Sequence, residues 1–279
     1  MYVYDKPKKT SVGIELIRRL VQEGHRIFTI TQARQYAPTV GMNPSYLLEA
    51  LYHLKRNGWI VQLRRGLYAI ATGMPGILPI REYEIAMQLL QPSAISHWSA
   101  LHHHGLTDQI PRKIFVLSPR RFSTQRNKLR QESQDPTDYL INGVLFHFIH
   151  VKDEKYFGIE TTWAGDVKVN VTDPERTLLD GLSLPWHCGD FSEVLHAFET
   201  RSARLDLEKI INYALRLDFV TAKRLGWVLE RRGVALERLK PLLTRPLTGY
   251  LMLDPSGSHA GPYNRRWMLR ENLPGRNIR

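Results

Sequence analysis

Apolar residues recur along this chain with two different periods, and each change of period marks an element boundary. Ile14, Ile17, Leu20 and Val21 keep to one side of a helix over residues 11–23. Residues 28–36 predict a short second helix with Ile30, Ala33 and Ala37 on one face, and Thr29 or Thr31 is placed to cap its start with a hydroxyl. Residues 38–42 carry too much Pro and Gly to continue it. Asn43 then caps a third helix with Pro44 at its first position, where a missing N–H costs nothing, and that helix stops at Asn57-Gly58. Leu47, Leu48, Leu51 and Leu54 are expected to form its inward stripe, leaving Ser45, Tyr46, Glu49, Tyr52, His53 and Arg56 outward. Residues 59–63 and 67–70, joined through Arg64, Arg65 and Gly66, read as a hairpin with a basic tip.

Residues 71–79, with two Pro and two Gly, read as a linker. Beyond it the pattern predicts helices over 81–90 and 96–104, the second capped by Ser96 and stopped by Gly105. Strands are expected over 114–117, 145–150 and 167–171, with a long polar, mobile loop over 120–138. Asp173, Pro174 and Glu175 open the next helix as cap, first position and dipole-favoured acid. Helices over 191–200, 206–217 and 221–232 follow, then a strand over 250–253 and a polar tail. The expected fold is α+β. A winged helix-turn-helix over 1–72 precedes a mixed α/β domain over 80–279 whose C-terminal half is helical.

Composition sharpens this picture mainly through charge. The chain has 279 residues, a formal net charge of +12 and a pI near 9.8, which calls for a polyanionic partner. Residues 1–75 hold 11 Lys/Arg against 4 Asp/Glu, while the other 204 hold 28 against 23. The excess therefore concentrates on the predicted helix-turn-helix, as binding to double-stranded DNA requires. Thr31, Asn43, Ser45, Tyr46, Glu49, His53 and Arg56 are the candidate groove-facing residues, and Arg64 and Arg65 the candidate contacts to backbone or minor groove. No segment has the form of a signal peptide or a membrane span, so a cytoplasmic location with no membrane contact is expected. A single cysteine, Cys188, excludes an internal disulfide framework.

Other constellations are weaker. His97 and the run His102, His103, His104 suggest a metal, but neighbouring helical residues diverge by about 100° and cannot converge on one ion. Glu160 followed by Asp166 and Lys168 has the outline of a metal-dependent nuclease, a pattern common by chance. Asp173, Glu175 and Arg176 are explained by helix capping or mark a polar site. No phosphate-binding loop, zinc-protease motif or nucleophile elbow occurs, so no catalytic residue, metal or cofactor is expected. The alternatives to a non-enzymatic DNA binder are a DNA-targeted nuclease and a ligand-sensing transcription factor.

The order of four tracts carries a resemblance. They are Arg64-Arg-Gly-Leu-Tyr-Ala-Ile70, Ile95-Ser-His-Trp-Ser-Ala-Leu-His-His-His-Gly-Leu106, Ile114-Phe-Val-Leu-Ser118 and Val171-Thr-Asp-Pro-Glu-Arg-Thr-Leu-Leu-Asp180. In this order the chain resembles the AbiEi-like antitoxins of type IV toxin–antitoxin, or abortive-infection, systems of phage defence. The resemblance implies an N-terminal winged helix-turn-helix and a C-terminal antitoxin domain. It further implies repression of the chain's own operon through inverted repeats and neutralisation of a nucleotidyltransferase toxin, for which stable direct contact is not assumed. It assigns no antitoxicity residue in the second domain.

Overall fold

The computed structural model describes residues 9–71, 80–123, 137–244 and 249–273. All but Ala71 of the expected linker over 71–79, and most of the expected loop over 120–138, lie outside them. The chain divides into two compact units, one gathering residues up to 91 with 122–145, the other gathering 92–121 with residues from 146 onward.

The first unit opens with α1 (Lys9–Gln22), which buries Leu16, Ile17 and Leu20. The short strand β1 (Ile27–Thr29) follows, where sequence periodicity predicts helix from residue 28. Its third residue ends the strand and caps α2 (Ile30–Tyr36). Thr29 Oγ1 accepts from Gln32 N at 3.2 Å while Thr29 N donates back to Gln32 Oε1 at 2.7 Å, a reciprocal capping box. Thr29, not Thr31, is therefore the cap. Asn43 caps a single 3-10 turn over Pro44–Tyr46, which runs on into α3 (Leu47–Arg56). The hairpin is β2 (Ile60–Arg64) and β3 (Leu67–Ile70), with Arg65 and Gly66 in the turn and a register shift between Gln62 and Arg64. β3 pairs on its other side with β1, Ile27 opposite Ala69 and Thr29 opposite Leu67, so the sheet order is β1-β3-β2. One apolar cluster, from Leu16 through Phe28, Leu47, Leu51 and Leu54 to Ile70, holds these elements together. α4 (Glu82–Leu89) belongs to this unit and buries Ile85, Ala86 and Leu89; Glu84 pairs with Arg26 at 3.2 Å.

In the second unit β4 (Ala94–Ile95) leads to α5 (His97–His103) and β5 (Lys113–Ser118). After β6 (Asp138–Ile141), which falls in the first unit, come β7 (Val144–His150), β8 (Ile159–Ala164) and β9 (Val167–Thr172). The strands of the second unit lie in the order β7-β5-β4-β9-β8. β4 runs antiparallel to β5 and parallel to β9, with Ile95 opposite Val171. The helices then follow: α6 (Pro174–Ser183), α7 (Phe191–Arg201), α8 (Leu207–Leu217), α9 (Phe219–Arg231) and the single turn α10 (Leu236–Leu239). α6 is buried from Glu175 through Leu182, because α5, α7, α8 and α9 all pack around it. Asp206 and Asp218 cap α8 and α9.

A small sheet of β10 (Leu251–Met252), β11 (Tyr263–Asn264) and β12 (Leu269–Arg270) closes the unit, where the sequence pattern predicts a strand and then a polar tail. Trp267 within it is 0 % exposed. Its indole lies so close to α9 that a Cβ on Gly226 would stand 2.0 Å from the ring, which is why that helix carries glycine there. Trp267 Nε1 donates to Glu230 Oε2 at 2.6 Å.

The burial pattern of α3 makes a sharp prediction. Leu51→Ala is expected to lower unfolding free energy by about 2–5 kcal/mol through a core cavity, whereas Leu48→Ala stays within about 0.5 kcal/mol. Denaturant titration of the two variants checks this, and equal losses would contradict the assigned faces.

Candidate nucleic-acid interface

α3 separates its residues sharply. Leu47, Ala50, Leu51 and Leu54 are buried, while Leu48, Glu49, Tyr52, His53, Lys55 and Arg56 are exposed. Leu48 is a correction to the expected inward stripe, being 63 % exposed. It follows Leu47 by one step of about 100°, which carries it out of the arc that the four buried residues fill. Tyr52, one turn further on, is 61 % exposed.

The other sequence-predicted residues divide by role. Thr31 is exposed in the first turn of α2. Asn43 is exposed but engaged locally, its Oδ1 accepting from Ser45 N at 3.0 Å and Ser45 Oγ at 2.9 Å, so the two polar side chains are held as one unit ahead of α3. Tyr46 is half-buried and packs against the apolar cluster. Glu49 and His53 lie 3.6 Å apart across one turn, and Arg56 is exposed in the last turn. Arg64 and Arg65 are exposed at the hairpin end, where the register shift in β2 locally alters the pairing. Two further cations carry no sequence signal that singles them out. Lys55 Nζ donates to Gln62 Oε1 at 2.8 Å and ties α3 to the hairpin, and Arg34 is exposed on α2. From Gly24 to Ala71 there is one carboxylate, Glu49, against six cationic side chains. The electrostatics of this surface thus suit a polyanion.

The constellations of the second unit take different forms. Glu160 sits opposite Val171 on the β8–β9 hairpin, and Asp166 lies in the turn beyond Ala164, about 13 Å of strand away. Lys168 Nζ instead lies over the Trp163 ring at 5.3 Å. The acid pair of the nuclease outline is therefore separated along the strand, and among the described residues no group of three His, Cys, Asp or Glu side chains is arranged to hold a metal. His102 points to solvent, while His104 Nε2 donates to the Thr172 carbonyl at 2.7 Å, so the histidine run diverges. Burial pushes the Cys188 thiol well up, with Asp180 and Glu193 adding to the effect, which keeps it a thiol.

Asp173, Glu175, Arg176 and Asp180 do more than cap a helix. Asp173 caps α6 through Arg176 N at 2.9 Å and also accepts from Tyr213 Oη and Lys209 Nζ, both at 3.1 Å. Glu175 is buried and pairs with Lys209 at 3.1 Å and Arg201 at 3.5 Å. Partial burial pulls the Lys209 ammonium down, but its hydrogen bonds to Glu175 and Asp173 outweigh this and raise it to about 12. Arg176 is 1 % exposed, donating to Asp180 Oδ1 at 2.9 Å and to the carbonyls of Lys155 and Phe157 at 2.8 Å. Burial pushes the Asp180 carboxyl up, against the pull of Arg176.

Near this network three imidazoles from distant positions meet. His147 and His187 have ring centroids 4.5 Å apart, and His97 and His187 5.6 Å. His97 is 1 % exposed with φ of +49°, its Nδ1 sharing a hydrogen bond with Ser96 Oγ at 3.0 Å while its Nε2 has no partner among the described residues. Burial pushes its pKa well below 6.5, and His187, Arg176 and His147 lower it further. The unfolded chain therefore binds more protons just below pH 6.5, so stability falls as pH drops through that value and levels off below the folded-state pKa. Wild type is expected to lose more stability than His97→Gln between roughly pH 7 and 5.5. Parallel urea titrations check this, and identical pH dependence would refute the assignment.

Comparison with known proteins bears on both units. Residues 15–71 match the family described as "Transcriptional regulator, AbiEi antitoxin". No curated protein matches the chain. Among solved structures, the RV2827C protein of Mycobacterium tuberculosis is similar in fold, with a TM-score of 0.64 and 17 % identity over 93 % of this chain and 90 % of that one. The matched residues begin within α1 and end just past β3, the segment that carries the α3 face and the basic hairpin. Over residues 15–71 the chain is therefore similar to the AbiEi antitoxins described as transcriptional regulators.

Proposed function

We propose that residues 9–71 act as a winged helix-turn-helix that lays α3 in the DNA major groove and sets the β2–β3 hairpin against the adjacent backbone or minor groove. The exposed face of α3 is the observation that carries this reading: apart from Leu48 and Tyr52 it is polar and mostly cationic, it lies opposite a fully apolar arc, and a basic hairpin follows it directly. Ser45, held by Asn43, with Glu49 and His53, is assigned to base edges; Thr31, Tyr46 and Arg56 lie at the margins, and Arg64 and Arg65 meet phosphates.

In this proposal the chain is a non-enzymatic antitoxin of a type IV system. It represses its own operon by binding inverted repeats and counteracts a nucleotidyltransferase toxin, without stable contact being required. The family match over residues 15–71 and the concentration of positive charge there support the DNA-binding half of this reading. The toxin link rests on the family resemblance. Among the described residues no helix is long and apolar enough to cross a membrane, and a cytoplasmic site of action is part of the proposal.

A salt-titrated gel shift, with the duplex upstream of the chain's own operon against scrambled duplex of equal length, tests this. Selective binding that footprints on an inverted repeat is the expected result; equal, salt-labile binding to both duplexes would overturn it. Replacing Arg64 and Arg65 together by Ala should weaken binding to both duplexes and reduce the salt slope by roughly 0.9 for each phosphate no longer neutralised. An unchanged slope would remove those arginines from the backbone contacts.

A further inference from the structure

The outer face of α3 is not uniformly polar. Glu49 and His53 form one stripe, paired with each other across a turn. Beside it Leu48 and Tyr52, also four residues apart, form a second stripe in which both side chains are more than 60 % exposed. Tyr52 touches His53 edge to face, with ring centroids 5.6 Å apart, so the two stripes abut. Lys55 and Arg56 bound the apolar pair at the next turn. Single exposed leucines are ordinary. This one lies in the first turn of the helix proposed to enter the groove, within the cationic surface that would hold phosphate on either side.

An aliphatic side chain can neither donate nor accept a hydrogen bond, so it cannot read guanine, cytosine or adenine by their polar edges. The major groove offers it one apolar mark, the 5-methyl group of thymine. We infer that Leu48, flanked by Tyr52, is a specificity-determining contact to a thymine methyl, so that each half-site carries thymine where the first turn of α3 meets the bases. This rests on the DNA-reading proposal and adds to it a base identity and a residue. Burying one methyl group is worth about 0.8 kcal/mol, which at about 1.4 kcal/mol per tenfold is roughly a fourfold preference for thymine over deoxyuridine at that position. Leu48 belongs to no core, so truncating it removes the contact and leaves the fold.

The test uses the full-length chain and a duplex selected from a random-sequence library, with thymines then partly replaced by deoxyuridine. Bound and free fractions are sequenced for wild type, Leu48→Ala and Arg64→Ala. For wild type, loss of the methyl at one position per half-site should deplete binding about fourfold; Leu48→Ala should abolish that depletion alone, and Arg64→Ala should keep it while weakening every duplex. If a selected site is bound but shows no methyl-dependent position, or the same one in Leu48→Ala, the inference is overturned while DNA reading stands. If the library yields no preferred sequence, the DNA-reading proposal fails and this inference with it. If Leu48→Ala changes the sedimentation of the free protein and not the methyl pattern, the pair is a self-association patch and the inference is likewise overturned.

Discussion

A guanidinium taken almost wholly out of water organises the second unit. Removing an arginine from solvent is costly unless its hydrogen bonds are met, because the lost hydration is worth several kcal/mol. Arg176 meets the cost with one carboxylate, two backbone carbonyls and the face of Phe157, whose ring centroid lies 4.7 Å from its charge. Those partners dictate local structure. The carbonyls come from the segment that enters β8, so that segment must fold back over α6. It turns at Gly158, where φ is +65° and a Cβ would come within 2.8 Å of the arginine's own Cβ. The Gly158 carbonyl then accepts from Asp173 N at 2.8 Å, which sets the first turn of α6. Capping, chain reversal and burial of charge at this point are one arrangement seen from three sides.

In the first unit the ordering force is apolar and local. The cluster that closes it draws on residues between Leu16 and Ile70. Because Leu47, Ala50, Leu51 and Leu54 fill their arc completely, the rotation of α3 about its axis is settled by packing. What the helix displays outward follows from that rotation. Lys55 then fastens the helix to the hairpin through Gln62, so the exposed cations at the hairpin end are carried on a frame rather than on a free loop.

The parts legible from sequence are those with strong local signals. Period and caps place α3, the hairpin and α6 to α9, and the capping acids Asp173, Asp206 and Asp218 do what their positions imply. Leu48 misleads because four leucines in eight residues suggest one stripe, although the step of about 100° from Leu47 carries it outside the arc that Leu47, Leu51 and Leu54 share. β1 reads as helix because a three-residue strand exists only by pairing with β3, forty residues away. Glu175 has the position of a dipole-favoured acid, yet its partners Arg201 and Lys209 lie on other elements. The three imidazoles at positions 97, 147 and 187 share no local pattern, and neither does the seat of Trp267 on Gly226. Each of these depends on contacts between distant segments, which periodicity cannot carry. For the candidate interface, residue types and their order are readable, while the apolar stripe within it requires the rotation of the helix.

The buried seat of Trp267 has a consequence for synthesis. The core of the second unit takes residues from Leu101 through Leu269, so it is incomplete until translation has passed the last of them. At 5–20 residues per second that interval is roughly 8 to 34 s. During it the leucine-rich faces of α6, α8 and α9 lack the indole and the small sheet that finally cover part of them. Apolar surface that the last-made segment covers therefore stays uncovered over that interval. The first apolar cluster, by contrast, has all its residues in hand by Ile70 and can close long before the second is whole.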